Sequence, residues 1–431
     1  MQMPKAPGFD HTVAFLREGY DFVGNRCESL GSDIFEARLA LRKVVCMRGA
    51  QACEQFYAKE KFTRVGAMPI TVLMLLQDYG SVQLLDGTPH RHRKSMFRAI
   101  GHQTAAKRLG TELQREWQRT LPRWERASSM VLFDEMQSML TRVGAAWAGV
   151  NLTEDEARAR TREFSEMLAS TGSIGPKMVR ALVLRQRTEY WARDLIKRTR
   201  SGKFAVANGS ALQLIASHRD LHGQLLSVKT AAVELINVLR AIVAVARFIA
   251  FAGKALHEHP AARARIDSGD DAYLHAFVQE VRRTAPFFPI IGGRARETFE
   301  WQGFRFEKGA WVLLDLYGTD QDVNVWPEPQ RFDPLRFLER EPTPFELVPQ
   351  GAGDASLTHR CPGEDMTLEI MRVAVRELVG SMTFIVPAQD LSVDKSAIPA
   401  LPASGVILAN VVRCSPRDEA SPTRASSARS I

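Results

Sequence analysis

The sequence predicts a mainly α protein with small β-sheets, and three observations carry that prediction. From about 103 to 260 the chain is rich in Ala, Leu, Arg and Glu and poor in proline, and it reads as consecutive helices, with a further helical segment at about 270–284. Strand-like runs lie towards the two ends instead, near 34–48 and beyond 286. Over 431 residues, 45% hydrophobic and 25% charged side chains make a composition able to bury a core, which excludes a disordered chain.

The elements follow in order. Residues 34–48 form two short runs of loose alternation, expected as a hairpin, and a helix follows at 50–58. Asp86 to Lys94 reads as a loop entering a basic helix. Helical segments are expected at 103–121, 132–149, 153–169, 185–200, 210–218, 228–258 and 270–284. Residues 286–350 turn rich in proline, glycine and aromatics, with a strand at Trp311–Leu314. A helix at 363–380 and strands near 382–386 and 405–412 complete the expectation. Residues 1–414 are expected to be one domain and the polar segment 415–431 a disordered tail.

Composition also narrows the function. The net charge is +8, but Lys and Arg are interleaved with Asp and Glu along the chain, which argues against nucleic-acid binding. Five cysteines without a CxxC pair exclude a disulfide scaffold and a zinc ribbon. The first twenty residues hold no apolar run of signal or anchor length, so a cytoplasmic protein without a membrane span is expected.

Two places carry chemistry. The segment from Val228 to Ala255 is apolar on almost every face, as a helix through a large core would be. Within it Arg240 has no carboxylate three or four residues away, so a distant Asp or Glu or an anionic ligand must balance its charge. Further on, Val348-Pro349-Gln350-Gly351 leads to Cys361-Pro362-Gly363 at a helix start. Backbone N–H groups there would stabilise a thiolate able to ligate a metal; a buried inert cysteine is the other reading.

The succession of basic helix, long core helix, Glu280-Val281-Arg282-Arg283, Gln330-Arg331-Phe332 with Arg336, and Cys361-Pro362-Gly363 resembles the cytochrome P450 superfamily. That resemblance implies its fold, with haem b between the long central helix and the cysteine loop. It makes Cys361 the axial ligand of haem iron and Glu280, Arg283 and Arg336 a buried salt-bridge triad bracing the cysteine loop. His90, Lys94, Arg294 and Arg64 would hold the haem propionates.

The superfamily's usual acid–alcohol pair is absent from the central helix, where Leu239-Arg240-Ala241-Ile242-Val243 stands. With Gln83, Pro286-Phe287-Phe288-Pro289 and Pro349-Gln350-Gly351, the chain resembles the bacterial fatty-acid peroxygenases. The resemblance implies hydroxylation of long-chain fatty acids at the α or β carbon by hydrogen peroxide, without a redox partner. Arg240 would hold the substrate carboxylate as general acid–base, Gln83 would lie beside it, and Phe287 and Phe288 would line the chain tunnel. Met68 and the loop Gly172 to Pro176 are further wall positions. Gln83 favours hydroxylation over decarboxylation to a terminal alkene, because an amide delivers no proton as an imidazole can. A reductase-dependent monooxygenase and a non-catalytic haem or fatty-acid binding protein are the other readings. Three departures stand out: Ala241 replaces the family's usual proline, and Ala352 and Thr358 replace glycines. Ala241 is expected to straighten the helix and shift the guanidinium, and the other two to alter the loop.

Overall fold

The computed structural model describes residues 2–58, 60–173 and 175–414. The tail expected at 415–431 lies outside the described residues. The architecture is a helical body flanked by small sheets. The strands are β1 Ile34–Leu39, β2 Arg42–Arg48, β3 Phe62–Thr63, β4 Ser129–Val131, β5 Ile290–Ala295, β6 Phe299–Trp301, β7 Phe304–Phe306, β8 Trp311–Asp315, β9 Met382–Ile385 and β10 Ile407–Arg413. One sheet has the order β1-β2-β8-β5-β3, a second β4-β10-β9, and β6 pairs with β7. The expected hairpin is β1 and β2, joined through Ala40 and Leu41, both at positive φ without glycine. Thr12 and Asp10 accept hydrogen bonds from the N–H groups of Ala40 and Leu41 at 2.6 and 2.7 Å, which holds this tight turn.

The central helix runs Val228–Ala244, capped by Ser227, whose hydroxyl accepts from Thr230 N–H at 3.0 Å. It passes through Ala241 unbroken. The single helix expected over 228–258 is interrupted at Val245, whose N–H bonds the Ile242 carbonyl, three residues back, at 3.2 Å; Ala246–Glu258 follows. By length and apolarity Val228–Glu258 is able to cross a membrane, but 94% of its most apolar stretch is buried inside the protein. It is therefore the core helix, and each fully buried Leu or Ile on it contributes about 1.5–3 kcal/mol.

Other helices run longer than their local signals. Gln103–Arg126 continues through Pro122, where Trp124 packs edge-on against Trp117 at 5.2 Å. Pro176–Arg200 starts nine residues before 185, with Pro176 in its first turn, where the missing N–H costs nothing. The helices Thr12–Glu18 and Phe22–Leu30 had no counterpart in the reading of the sequence. The basic helix is Gly87–Ile100, the Glu-x-x-Arg helix Asp271–Thr284, and the helix after the cysteine Glu364–Gly380.

Where β8 ends, Asp315 caps the next helix, accepting from Gly318 N–H at 2.7 Å. Its other oxygen is buried without a partner. Burial pushes the carboxyl up to about 7, against the pull of that N–H. The unfolded chain loses this proton near pH 4 while the folded one keeps it, so the group's contribution to stability falls as pH rises from about 4 through 7. Asp315→Asn keeps an acceptor for Gly318 and removes the titration. Urea unfolding midpoints of the variant should gain on the parent between pH 5 and pH 8; parallel midpoints across that range would refute this.

Candidate active site

A cavity of about 350 Å³ is enclosed by the central helix, the cysteine loop and the loop before the basic helix. Cys361, Arg240, Gln83, Phe287, Phe288, Met68, His90 and Lys94 stand on its wall. Arg64 and Arg294 do not, nor do the described residues of the 172–176 loop.

Cys361 sits where the loop meets the helix, its N–H bonded to the Gln350 carbonyl at 3.0 Å. Gly351 and Gly353 take φ of 93° and 80°, the left-handed region that glycine permits. A Cβ on Gly351 would meet the Tyr57 hydroxyl at 2.9 Å. Ala352 and Thr358 lie outside that region, so the departures from glycine there introduce no backbone strain. Thr358 ties the loop together: its hydroxyl donates to the Ala352 carbonyl at 2.7 Å and accepts from Arg360 N–H at 3.2 Å. Burial pushes the Cys361 thiol up, while the Gly363 N–H, Lys94 and Arg282 pull the other way.

A cationic cluster borders the loop. Lys94 donates to the carbonyls of Thr358 and Arg360, so two of its three N–H bonds hold the cysteine loop. The rings of His90 and His359 lie against each other, tilted by 30° with centroids 3.9 Å apart. Arg64 is buried, donates to the Gly292 carbonyl at 2.9 Å and lies over the rings of Phe56 and Tyr57 at 4.3 and 4.9 Å. Burial first, then repulsion from neighbouring cations, lowers His90 to about 4 and holds His359 well below its ordinary value; burial lowers Lys94 to about 8 against the pull of Cys361 and Asp354. Arg294, half-buried on β5, donates to the Gly66 carbonyl at 3.1 Å and lies over the Trp311 ring at 5.4 Å. His359, missed in the sequence, was signalled only by its place two residues before the cysteine.

Opposing this cluster is a line of polar side chains on the central helix. Glu234 is fully buried, paired with Arg93 at 2.9 Å and accepting from Val82 N–H at 2.9 Å. Asn237, one turn on, donates to Glu234 at 3.0 Å and to the Gln83 carbonyl oxygen at 3.3 Å, and accepts from Arg240 at 2.9 Å. Arg240 is 6% exposed and also donates to the Leu75 carbonyl at 3.0 Å and to that of Leu76. Among the described residues no carboxylate lies within 4.0 Å of it, and burial holds its pKa well below the ordinary value. Its Nε–H and one Nη1–H remain outside these bonds. The aromatic wall is Phe287, stacked on Phe248 at 4.4 Å and edge-on to Phe288 at 5.0 Å; Phe288 is 40% exposed.

Behind the cysteine loop, Glu280 and Arg283 are both fully buried and joined by two bonds of 2.7 Å, with Arg336 at 3.4 Å from Glu280. Arg283 also donates to the carbonyls of Asp320 and Pro329, so this group fastens the 320–336 segment. The direct tie to the cysteine loop is the neighbouring Arg282, which bonds Gln350 at 3.0 Å and pairs with Glu364. The sequence reading passed over Arg282.

These residues fit the haem that the sequence resemblance implies. The Cys361 thiol, in a mostly apolar cavity, would be the iron ligand. Lys94, His90 and His359 stand on the cavity wall with Arg64 buried behind them, and among the described residues the acid beside them is Asp86, 4.0 Å from His359, so the basic groups there outnumber the acids, which suits the two propionates.

Comparison with known proteins places this geometry. Residues 267–401 match the family model Cytochrome P450. A solved variant of cytochrome P450SP alpha is 43% identical, covering 94% of this chain and 100% of its own, at a TM-score of 0.92. Wild-type cytochrome P450EX alpha with myristic acid is 39% identical over 96% of this chain and 100% of its own, TM-score 0.93. A variant of cytochrome P450 OleT in complex with arachidonic acid is 30% identical over 97% and 100%, TM-score 0.94. Among curated sequences, rhazimal synthase of Alstonia scholaris is 39% identical over 102 residues, 22% of this chain and 20% of that protein. Dimethylnonatriene synthase of Arabidopsis thaliana matches similarly over 21% of its length, so the chain spans about a fifth of these relatives.

Breaking the fully buried pair tests the bracing directly. Arg283→Met leaves Glu280 with the longer contact to Arg336 and should cost about 3–5 kcal/mol of stability in urea unfolding. A loss below about 1 kcal/mol would show that the pair is not needed to hold the segment.

Proposed function

The chain belongs to the cytochrome P450 family, among its fatty-acid peroxygenases, and from that premise we propose that it hydroxylates long-chain fatty acids at the α or β carbon with hydrogen peroxide. The observation that carries this reading is Arg240: a buried guanidinium with no carboxylate partner, on the wall of the cavity that holds Cys361. A fatty acid brings both what that cation lacks and the apolar chain that suits the aromatic wall.

Haem b, ligated by Cys361, supplies the oxidising chemistry when bound. The protein supplies position and proton handling. The Leu75 and Leu76 carbonyls and Asn237 hold the Arg240 guanidinium in place, while its Nε–H and one Nη1–H stay outside these bonds and a carboxylate can take either. The central-helix residues on the wall, Asn237, Val238, Arg240, Ala241, Ile242, Ala244 and Val245, include no acid and no hydroxyl. The proton taken from one peroxide oxygen and returned to the other is therefore assigned to the substrate carboxylate. Overall, a C–H bond and hydrogen peroxide become a C–OH bond and water, so no external reductant is consumed. Gln83, held by Asn237, orients without titrating, which favours hydroxylation over decarboxylation.

The test is a reductase-free incubation of the haem-loaded protein with myristic acid and hydrogen peroxide, products read by mass spectrometry. Hydroxymyristic acid is expected. Tridecene as the main product would assign the decarboxylase reaction, with Gln83→His as its comparison. Turnover only with a reductase and NAD(P)H would assign a conventional monooxygenase, and tight fatty-acid binding with no turnover under either condition a binding protein. Arg240→Ala should keep its haem and lose about 10- to 150-fold in kcat/KM, the value of a charge-assisted contact of about 1.5–3 kcal/mol. Retained turnover in that variant would refute the carboxylate's role.

A further inference from the structure

The Leu75 carbonyl is shared by two guanidiniums. Arg240 reaches it from the central helix at 3.0 Å, and Arg185 reaches it from Pro176–Arg200 at 3.3 Å. Leu75 belongs to a single turn of π-helix, Leu73–Gln77, closed by the Asp78 N–H on the Leu73 carbonyl at 2.7 Å. The carbonyls at the end of such a turn lack donors of their own and attract cations.

Arg185 is 1% exposed and does not stand on the cavity wall. Its Nε bonds Glu189 at 3.0 Å, but Glu189 is shared with Arg193 at 2.6 Å, and the Nη2 of Arg185 is buried without any partner. One carboxylate, Glu189, thus serves two arginines, Arg185 and Arg193, and Arg185 shares the neutral Leu75 carbonyl with a third, Arg240. Repulsion by Arg185 adds to burial in disfavouring the charged form of Arg240. An anion arriving at Arg240 relieves both costs at once.

We propose that Arg185 is a positioning residue of the carboxylate site: through the Leu75 carbonyl it fixes where Arg240 stands, and its charge strengthens the hold on a carboxylate it never touches. This rests on the reading of Arg240 as the carboxylate-binding residue and names what sets its affinity. A consequence is discrimination by head-group charge. Removing Arg185 should weaken a fatty acid while leaving a neutral chain of the same length alone.

The measurement compares the haem-loaded parent, Arg185→Gln and Arg185→Lys for dissociation constants of myristate and of 1-tetradecanol. For Arg185→Gln, myristate affinity should fall about tenfold and tetradecanol affinity change less than about twofold. Arg185→Lys, which keeps the charge, should recover most of the loss. In turnover the loss should appear mainly in KM. If Arg185→Gln does not fold, the double variant Arg185→Gln/Glu189→Gln, which removes the pair together, carries the same comparison. Unchanged myristate affinity, or an equal loss for both chains, would overturn the proposal. Failure of the underlying reading looks different: Arg240→Ala would then leave the preference for myristate over tetradecanol intact.

Discussion

A guanidinium held in the core of the protein without a carboxylate is the constraint on which this structure turns. Arg240 is one of the least hydrated cations in the chain, and the usual remedy, an ion pair, is withheld from it. Its neighbours answer with neutral dipoles instead. Two carbonyls from a π turn and an asparagine oxygen orient the group without cancelling its charge. The nearby carboxylate, Glu234, is kept from it: one of its oxygens pairs with Arg93 and the other is turned to the amide of Asn237. Asn237 thus passes a hydrogen bond from the acid towards the cation while insulating one from the other. Had Glu234 reached Arg240 directly, the pair would be closed and the site would have no affinity for an anion.

The same economy appears at the cysteine loop. Lys94, His90 and His359 stand on the cavity wall near Cys361, and burial, with repulsion between neighbouring cations, holds the two histidines well below their ordinary pKa. On the far side of the loop the charges are paired: Arg282 with Glu364, Arg360 with Glu364, Arg283 with Glu280. Paired charges fasten the backbone, and unpaired ones are left where a dianionic cofactor fits. Asp320 continues the fastening, accepting from Val348 N–H at 2.7 Å where the chain enters the loop.

What the sequence disclosed was what local pattern encodes. The core helix was legible because apolar residues cover all its faces, and Cys361 because a proline and a glycine mark the helix start beside it. Glu280 and Arg283 were legible because three residues is one helical turn. Hidden were the partners that come from elsewhere in the chain. Nothing near Arg185 in the sequence points to Leu75, 110 residues earlier. Arg93 read as one of several cations in a basic helix, although its partner Glu234 lies 141 residues on. Arg294 shows the converse error. A cation at the right place in the order of motifs was expected beside the haem, but β5 turns it towards Gly66 and Trp311, because alternation along a strand decides the face and spacing between motifs does not.

Ala241 is the departure with the deepest consequence. A proline there would remove a backbone hydrogen bond in mid-helix and bend it, so that the position of the preceding arginine would follow from the bend. With alanine the helix continues to Ala244, and the irregularity falls at Val245 instead, a full turn beyond the guanidinium. The backbone therefore no longer dictates where Arg240 stands. That task passes to hydrogen-bond acceptors: the backbone carbonyls of Leu75 and Leu76 and the side chain of Asn237. A long side chain held by hydrogen bonds to a short irregular turn is more adjustable than one fixed by a kink. On the proposed reading regiochemistry depends on where the substrate carboxylate is held, and the two carbonyls that hold Arg240 come from the π turn Leu73–Gln77 rather than from the central helix.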